Sequence, residues 1–116
     1  MTIRRLKTYA GSQGYVYQYY FVGKRPTPTG DAIEYIFDVT SDRKTKYAVS
    51  IFLPQPVVAA WNHNHGRSLT DAEQYAAVKI RLFRAFDEIE DLQITGRSLP
   101  IDSQHLEGSL ASLGVE

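Results

Sequence analysis

The chain has 116 residues, 43% hydrophobic and 22% charged, with thirteen bases balanced by thirteen acids and no cysteine. That length suits one domain able to hide roughly two-thirds of its surface, and the missing cysteines exclude disulfides and thiolate chemistry. No run approaches the roughly 20 apolar residues of a membrane span, and residues 1–5 lack the apolar stretch of a secretory signal, so a soluble, cytoplasmic protein without membrane contact is expected.

The neutral total conceals a polarity. Residues 1–46 carry eight bases against four acids, and the remainder carries five against nine. Such a dipole can steer an anionic partner or favour self-association, and it is equally compatible with an ordinary solvated surface.

In chain order, residues 1–13 mix bases with Ile3, Leu6 and Tyr9 ahead of the turn-forming run Gly11-Ser12-Gln13-Gly14. They are expected as an arm, either flexible or a short edge strand. The aromatic and β-branched run from Tyr15 to Gly23 predicts a first strand. Pro26 and Pro28 lack donors for a ladder, so residues 25–30 form a loop. A second strand over Ala32–Thr40 places Ile33, Tyr35, Phe37 and Val39 on one face, opposed to Glu34, Ile36 and Asp38. A polar connection follows, and a third strand over Lys46–Leu53 sets Tyr47, Val49, Ile51 and Leu53 against Lys46, Ala48, Ser50 and Phe52. Short polar links between consecutive strands predict an antiparallel meander.

Pro56 opens a short helix to about His63, with Val57 and Trp61 four apart on one side and Asn64 and Gly66 as stop residues. The longest regular element runs from Thr70 to Ile89. Thr70 and Glu73 have capping-box spacing, and apolar residues from Ala72 to Ile89 fill more than half of the helical cylinder. Asp87, Glu88, Glu90 and Asp91 at its end oppose the helix dipole. Residues 96–116 form a tail with one short helix carrying Leu106, Leu110 and Leu113, which Gly108 and several serines weaken. The expected fold is therefore α+β: a three-stranded antiparallel meander with one long and one short helix packed on one face, comprising residues 14–95. The alanine-rich helix after a three-stranded sheet resembles double-stranded-RNA-binding domains in outline. Asp71 and Glu73 stand where that family has a basic cluster, so no property is carried over.

Chemistry-bearing motifs are sparse. His63 and His65 form an i, i+2 pair that faces one way only in extended chain, and zinc needs at least three protein ligands. Gly66-Arg67-Ser68-Leu69 enters a helix N-terminus, a place for an anion, although Thr70 and Glu73 compete for the same donors. Lys79 lies within the apolar arc, where desolvation lowers a lysine pKa. There is no nucleophile elbow, phosphate-binding glycine loop or His-Glu-x-x-His helix, so no enzymatic activity and no cofactor are expected.

Three readings of function follow. The first is a non-enzymatic interaction domain that forms a homodimer through the sheet face turned away from the long helix, with Val16, Tyr20, Val22, Ile36 and Phe52 as the interface. The second is a nucleic-acid-binding module that stacks bases on Tyr15, Tyr17 and Tyr19 while Lys24, Arg25, Arg43, Lys44 and Lys46 meet phosphates. The third is metal or anion binding at the His63, His65 and Arg67 loop. The strand pattern leaves open which face of the first strand is buried and whether arm or tail covers the outer face.

Overall fold

Two strong alternations, a proline-opened helix and a capping box build the centre of the molecule. A computed structural model describes residues 6–11, 14–89 and 92–115. Its five strands are β1 Lys7–Ala10, β2 Val16–Pro26, β3 Ala32–Thr40, β4 Tyr47–Pro54 and β5 Ser98–Pro100. They form one sheet in sequence order, antiparallel from β1 to β4, with β5 parallel to β4. The helices are α1 Gln55–His65, α2 Asp71–Glu88, the single turn α3 Leu92–Thr95, and α4 Ser103–Ser112. The fold is thus α+β with a mostly antiparallel sheet.

The turns explain the register. Between β2 and β3, Gly30 adopts φ 75° and its N–H donates to the Thr27 carbonyl at 2.9 Å. Between β3 and β4, Asp42 Oδ1 accepts from the Lys44 and Thr45 N–H groups, both at 2.8 Å, while Arg43 takes φ 65°. These backbone donors hold the Asp42 carboxyl below its ordinary pKa. The sequence therefore carries its own hairpin chemistry at both points.

Alternation then decides what is buried. Tyr17, Tyr19, Tyr35, Phe37, Val39, Tyr47, Val49, Ile51 and Leu53 point to one side and join Val58, Trp61, Val78, Leu82 and Phe86 in a single core. Its seam is aromatic: Tyr17 stacks on Phe86 at 4.3 Å and Tyr9 on Phe83 at 4.6 Å between ring centroids. The long helix begins as expected, with Thr70 Oγ1 accepting from Glu73 N–H at 3.1 Å and Glu73 Oε1 accepting from Thr70 N–H at 3.0 Å. Gly66, at φ 68°, ends α1 in the left-handed conformation, where a side chain would be disfavoured.

Several expectations change. The sheet has five strands rather than three, because Lys7–Ala10 pairs with β2 and Ser98–Pro100 pairs with β4. The boundary expected after residue 95 does not separate a tail from the core, since Leu99, Ile101, Leu106 and Leu110 are buried in the same cluster. Leu113, read at helical spacing with Leu106 and Leu110, is exposed while those two are buried. The short helix is also longer than expected, beginning at Gln55 and reaching His65. Residues 1–5, 12 and 13 of the arm, and Glu90 and Asp91 of the acidic helix end, lie outside the described residues.

Candidate functional site: the outer sheet face

The inward set of β2 is Tyr17 and Tyr19, at 3% and 4% exposure, with Phe21 half-buried beside them. This fixes Val16, Gln18, Tyr20 and Val22 on the opposite side. Their cross-strand partners in β3 include Thr40 and Asp38, and those in turn face Ala48, Ser50 and Phe52 of β4 through Asp38, Ile36 and Glu34. All five residues singled out from the sequence, Val16, Tyr20, Val22, Ile36 and Phe52, therefore share the outer face. The pairing passes from Phe21–Phe37 to Gly23–Ile36, a bulge that leaves Val22 as the extra residue and gathers Val22 and Gly23 opposite Ile36.

Polar groups frame this apolar centre in two rows. At one end Tyr20 donates its hydroxyl to Asp38 Oδ2 at 2.6 Å, and Lys46 Nζ lies 5.4 Å from the Tyr20 ring centroid. At the other, Glu34 accepts from Arg25 Nε at 2.9 Å and from the Ser50 hydroxyl at 2.7 Å. Those two hydrogen bonds, led by Ser50, hold the Glu34 carboxyl below its ordinary range. Val16 is 46% exposed, while Tyr20, Val22, Ile36 and Phe52 are half-buried by these cross-strand neighbours.

Neither segment that could have covered the face does so among the described residues. β1 extends the sheet edge and sends Tyr9 to the helix side, where it stacks on Phe83 and donates to Asp87 Oδ2 at 2.8 Å. The C-terminal helix α4 packs on α1 and α2. Both lie on the core side or at the edge.

The other residues singled out from the sequence are dispersed. Tyr17 and Tyr19 are core residues, so Tyr15, at 48% exposure, is left as the single exposed member of the expected stacking platform. Lys24 lies beyond the bulge on the inner side, its Nζ 5.7 Å from the Tyr35 ring centroid. Arg25 stands near the start of β3, opposite Glu34, whereas Arg43, Lys44 and Lys46 follow its far end, so these bases do not converge. His63 is exposed on α1; His65 stacks on Trp61 at 4.1 Å and its Nε2 lies 3.0 Å from Glu107 Oε1. His105 instead caps α4 with Asp102. Among the described residues no three His, Asp or Glu side chains are placed to share a metal. Arg67 is held by Glu73 through two hydrogen bonds of 3.0 and 2.8 Å, which occupies the expected anion donor and pulls Glu73 down to about 2. Lys79 Nζ sits 5.9 Å from the Tyr75 ring centroid and 5.7 Å from that of Phe83. Burial first, and then the neighbouring Lys7, pushes its pKa down.

One further concavity was not legible in the sequence. Tyr15, Tyr17, Ser41, Tyr47, Leu92, Gln93 and Ile94 surround a pocket of about 190 Å³ between the β3–β4 end of the sheet and α3. Its tyrosines read as strand residues, and nothing in their spacing marks the place where α3 closes over them. No described helix is long and apolar enough to cross a membrane. Compared with models of known protein families, with curated proteins and with solved structures, the chain matches none.

Proposed function

We propose that this protein is a non-catalytic interaction domain that associates with a second copy of itself through the outer face of β2, β3 and β4. One observation carries the reading: Val16, Tyr20, Val22, Ile36 and Phe52 lie together on a sheet face over which no described element packs. An apolar centre framed by charge is how protein interfaces are composed. The framing also suits a like partner. One end of the face carries Lys46 beside Asp38 and the other carries Arg25 beside Glu34, so a two-fold axis through the middle can bring a base onto a carboxylate at either end.

Half-burial of four of the five residues limits the gain from association. A dissociation constant on the order of 1–100 µM is expected for a small interface of this kind. Light scattering behind size exclusion tests it directly. The full chain is expected to approach twice its 13.1 kDa mass as concentration rises through that range. A mass fixed at the monomer value up to about 1 mM would remove the reading.

The absence of catalysis is part of the same proposal. Acid–base or nucleophilic chemistry requires at least two functional groups that converge on one substrate position. The strongest single candidate, Lys79, is occupied by two aromatic rings and a second lysine. A hydrolase and phosphatase screen is expected to show no turnover. Activity abolished by Lys79→Ala in a folded protein would contradict the proposal.

A further inference from the structure

We propose that the Lys79 amine is a site of reversible carbamate formation, in which carbon dioxide adds to its nitrogen and the Lys7 ammonium holds the carboxylate so formed. The site lies on the helix side of β1, away from the outer sheet face, and a stoichiometric adduct is not turnover. It therefore stands or falls independently of the proposed self-association. Two elements bring the amines together. Lys7 pairs with the core residue Tyr19, and opposed residues of an antiparallel pair share a face, so Lys7 points to the helix side, as Tyr9 does two residues on. Tyr9 stacks on Phe83 of α2 at 4.6 Å between centroids. Lys79 lies one turn before Phe83, with Nζ 5.7 Å from that ring's centroid and 5.9 Å from that of Tyr75. The two lysine side chains meet beside this stack, where Lys7 hydrogen-bonds Lys79.

That contact fixes the protonation of the pair. An ammonium has donors but no lone pair, so one lysine accepts from another only as a neutral amine. Lys79 is half-buried and Lys7 exposed, and burial disfavours the charged form, so the lone pair belongs to Lys79. The downward push on its pKa, from burial first and Lys7 second, agrees. A neutral lysine amine is a nucleophile. The surroundings then select the electrophile. Tyr9, Tyr19, Tyr75 and Phe83 supply aromatic walls, Tyr9 donates its hydroxyl to Asp87 at 2.8 Å, and the charged group acting on Lys79 is a base. Residues 1–5, shortly before Lys7, carry two bases and no acid. A protonated imine at Lys79 would leave a cation against Lys7, whereas a carbamate turns the like-charge contact into an ion pair. Carbon dioxide also needs no cavity to reach a half-buried nitrogen. The step balances: the Lys79 lone pair forms the N–C bond, one C=O electron pair moves onto oxygen, and the nitrogen releases one proton to water.

The test exposes the full chain to isotopically labelled bicarbonate and carbon dioxide at neutral pH, traps carbamates by alkylation with triethyloxonium, and maps the label by digestion and mass spectrometry. The expected result is a labelled adduct on Lys79 that exceeds any on the exposed Lys24, Lys44 and Lys46. Lys7→Gln, at an exposed edge-strand position, removes both the ion pair and the charge that keeps the amine neutral. It is expected to lower the Lys79 adduct about fivefold, the effect of losing one partly exposed charge pair. Lys7→Arg, which restores the charge, is expected to restore the adduct. No adduct on Lys79, one no greater than on those three lysines, or one on Lys7 in its place would overturn the proposal. So would an adduct that Lys7→Gln leaves unchanged in protein with wild-type circular dichroism, or that Lys7→Arg lowers as much as Lys7→Gln does.

Discussion

Arg67 and Glu73 show how one residue pair fastens two elements. Glu73 accepts the Thr70 N–H within the capping box while its carboxylate holds the Arg67 guanidinium arriving from the end of α1, and the Arg67 guanidinium carbon lies 5.2 Å from the centroid of Trp61. The Arg67 bond is the larger cause of the Glu73 pKa falling from 4.5 to about 2, and the Thr70 backbone comes next. A carboxylate whose folded pKa is depressed stabilises the fold above its unfolded pKa and ceases to do so as pH falls through the folded value. The wild type is therefore expected to be more stable than Glu73→Gln at neutral pH, with the difference shrinking between pH 4.5 and about 2. Denaturant unfolding of both proteins across that window checks it. A difference that stays constant through the window would show that the ionised carboxylate is not the source.

At the scale of elements, α4 is a structural member and not an appendage. Asp102 caps it by accepting from His105 N–H at 2.8 Å, and Leu106 and Leu110 are 1% and 0% exposed. Leu110→Ala is expected to cost about 2–5 kcal/mol, the range for truncating a fully buried leucine. Thermal or denaturant unfolding measures this, and a loss below about 0.5 kcal/mol would place the helix outside the cooperative core. The same helix illustrates what a sequence conceals. Gly108 and the serines depress its intrinsic propensity, and it is held by packing that no local window contains. β5 was hidden for a related reason: three residues are too few for alternation to show, and it exists only because β4 offers an open edge, whereas β1 is the edge strand that was one of the two alternatives for the arm. β3, β4 and α2 were legible because each carries many turns of its own periodicity, together with Thr70 and Glu73 at capping distance. The bulge at Val22 was not, since it is a property of pairing with β3 and not of β2 alone. Its consequence is specific: Lys24 turns to the core side, over Tyr35, instead of continuing the outward series.

For the whole molecule, the sheet divides two environments. The helix side is closed by α1, α2 and α4, and the other side presents a mixed surface whose membership, Val16, Tyr20, Val22, Ile36 and Phe52, follows from alternation once the register of β2 is known. Its depth does not follow. The bonds Tyr20–Asp38 and Arg25–Glu34–Ser50 run between strands and draw polar side chains over the apolar ones, leaving Val16 as the most exposed of the five. The proposed association must then rest on the centre of the face, where Ile36 stands opposite Gly23 and Ser50. Ile36→Lys probes that centre with little harm to the monomer, because Glu34 and Asp38 flank it on the same face and can receive the ammonium. Phe52→Glu is a poorer probe, since Glu34 lies directly across from it and two carboxylates would repel within one chain.

Sedimentation equilibrium of the wild type and of Ile36→Lys, over protein concentrations from about 1 µM to about 1 mM, tests the proposed self-association most directly. The account predicts a wild type that moves from 13.1 kDa toward twice that mass, and a variant with unchanged circular dichroism that remains at 13.1 kDa throughout. A wild type that stays monomeric, or a folded Ile36→Lys variant that dimerises as the wild type does, would contradict it.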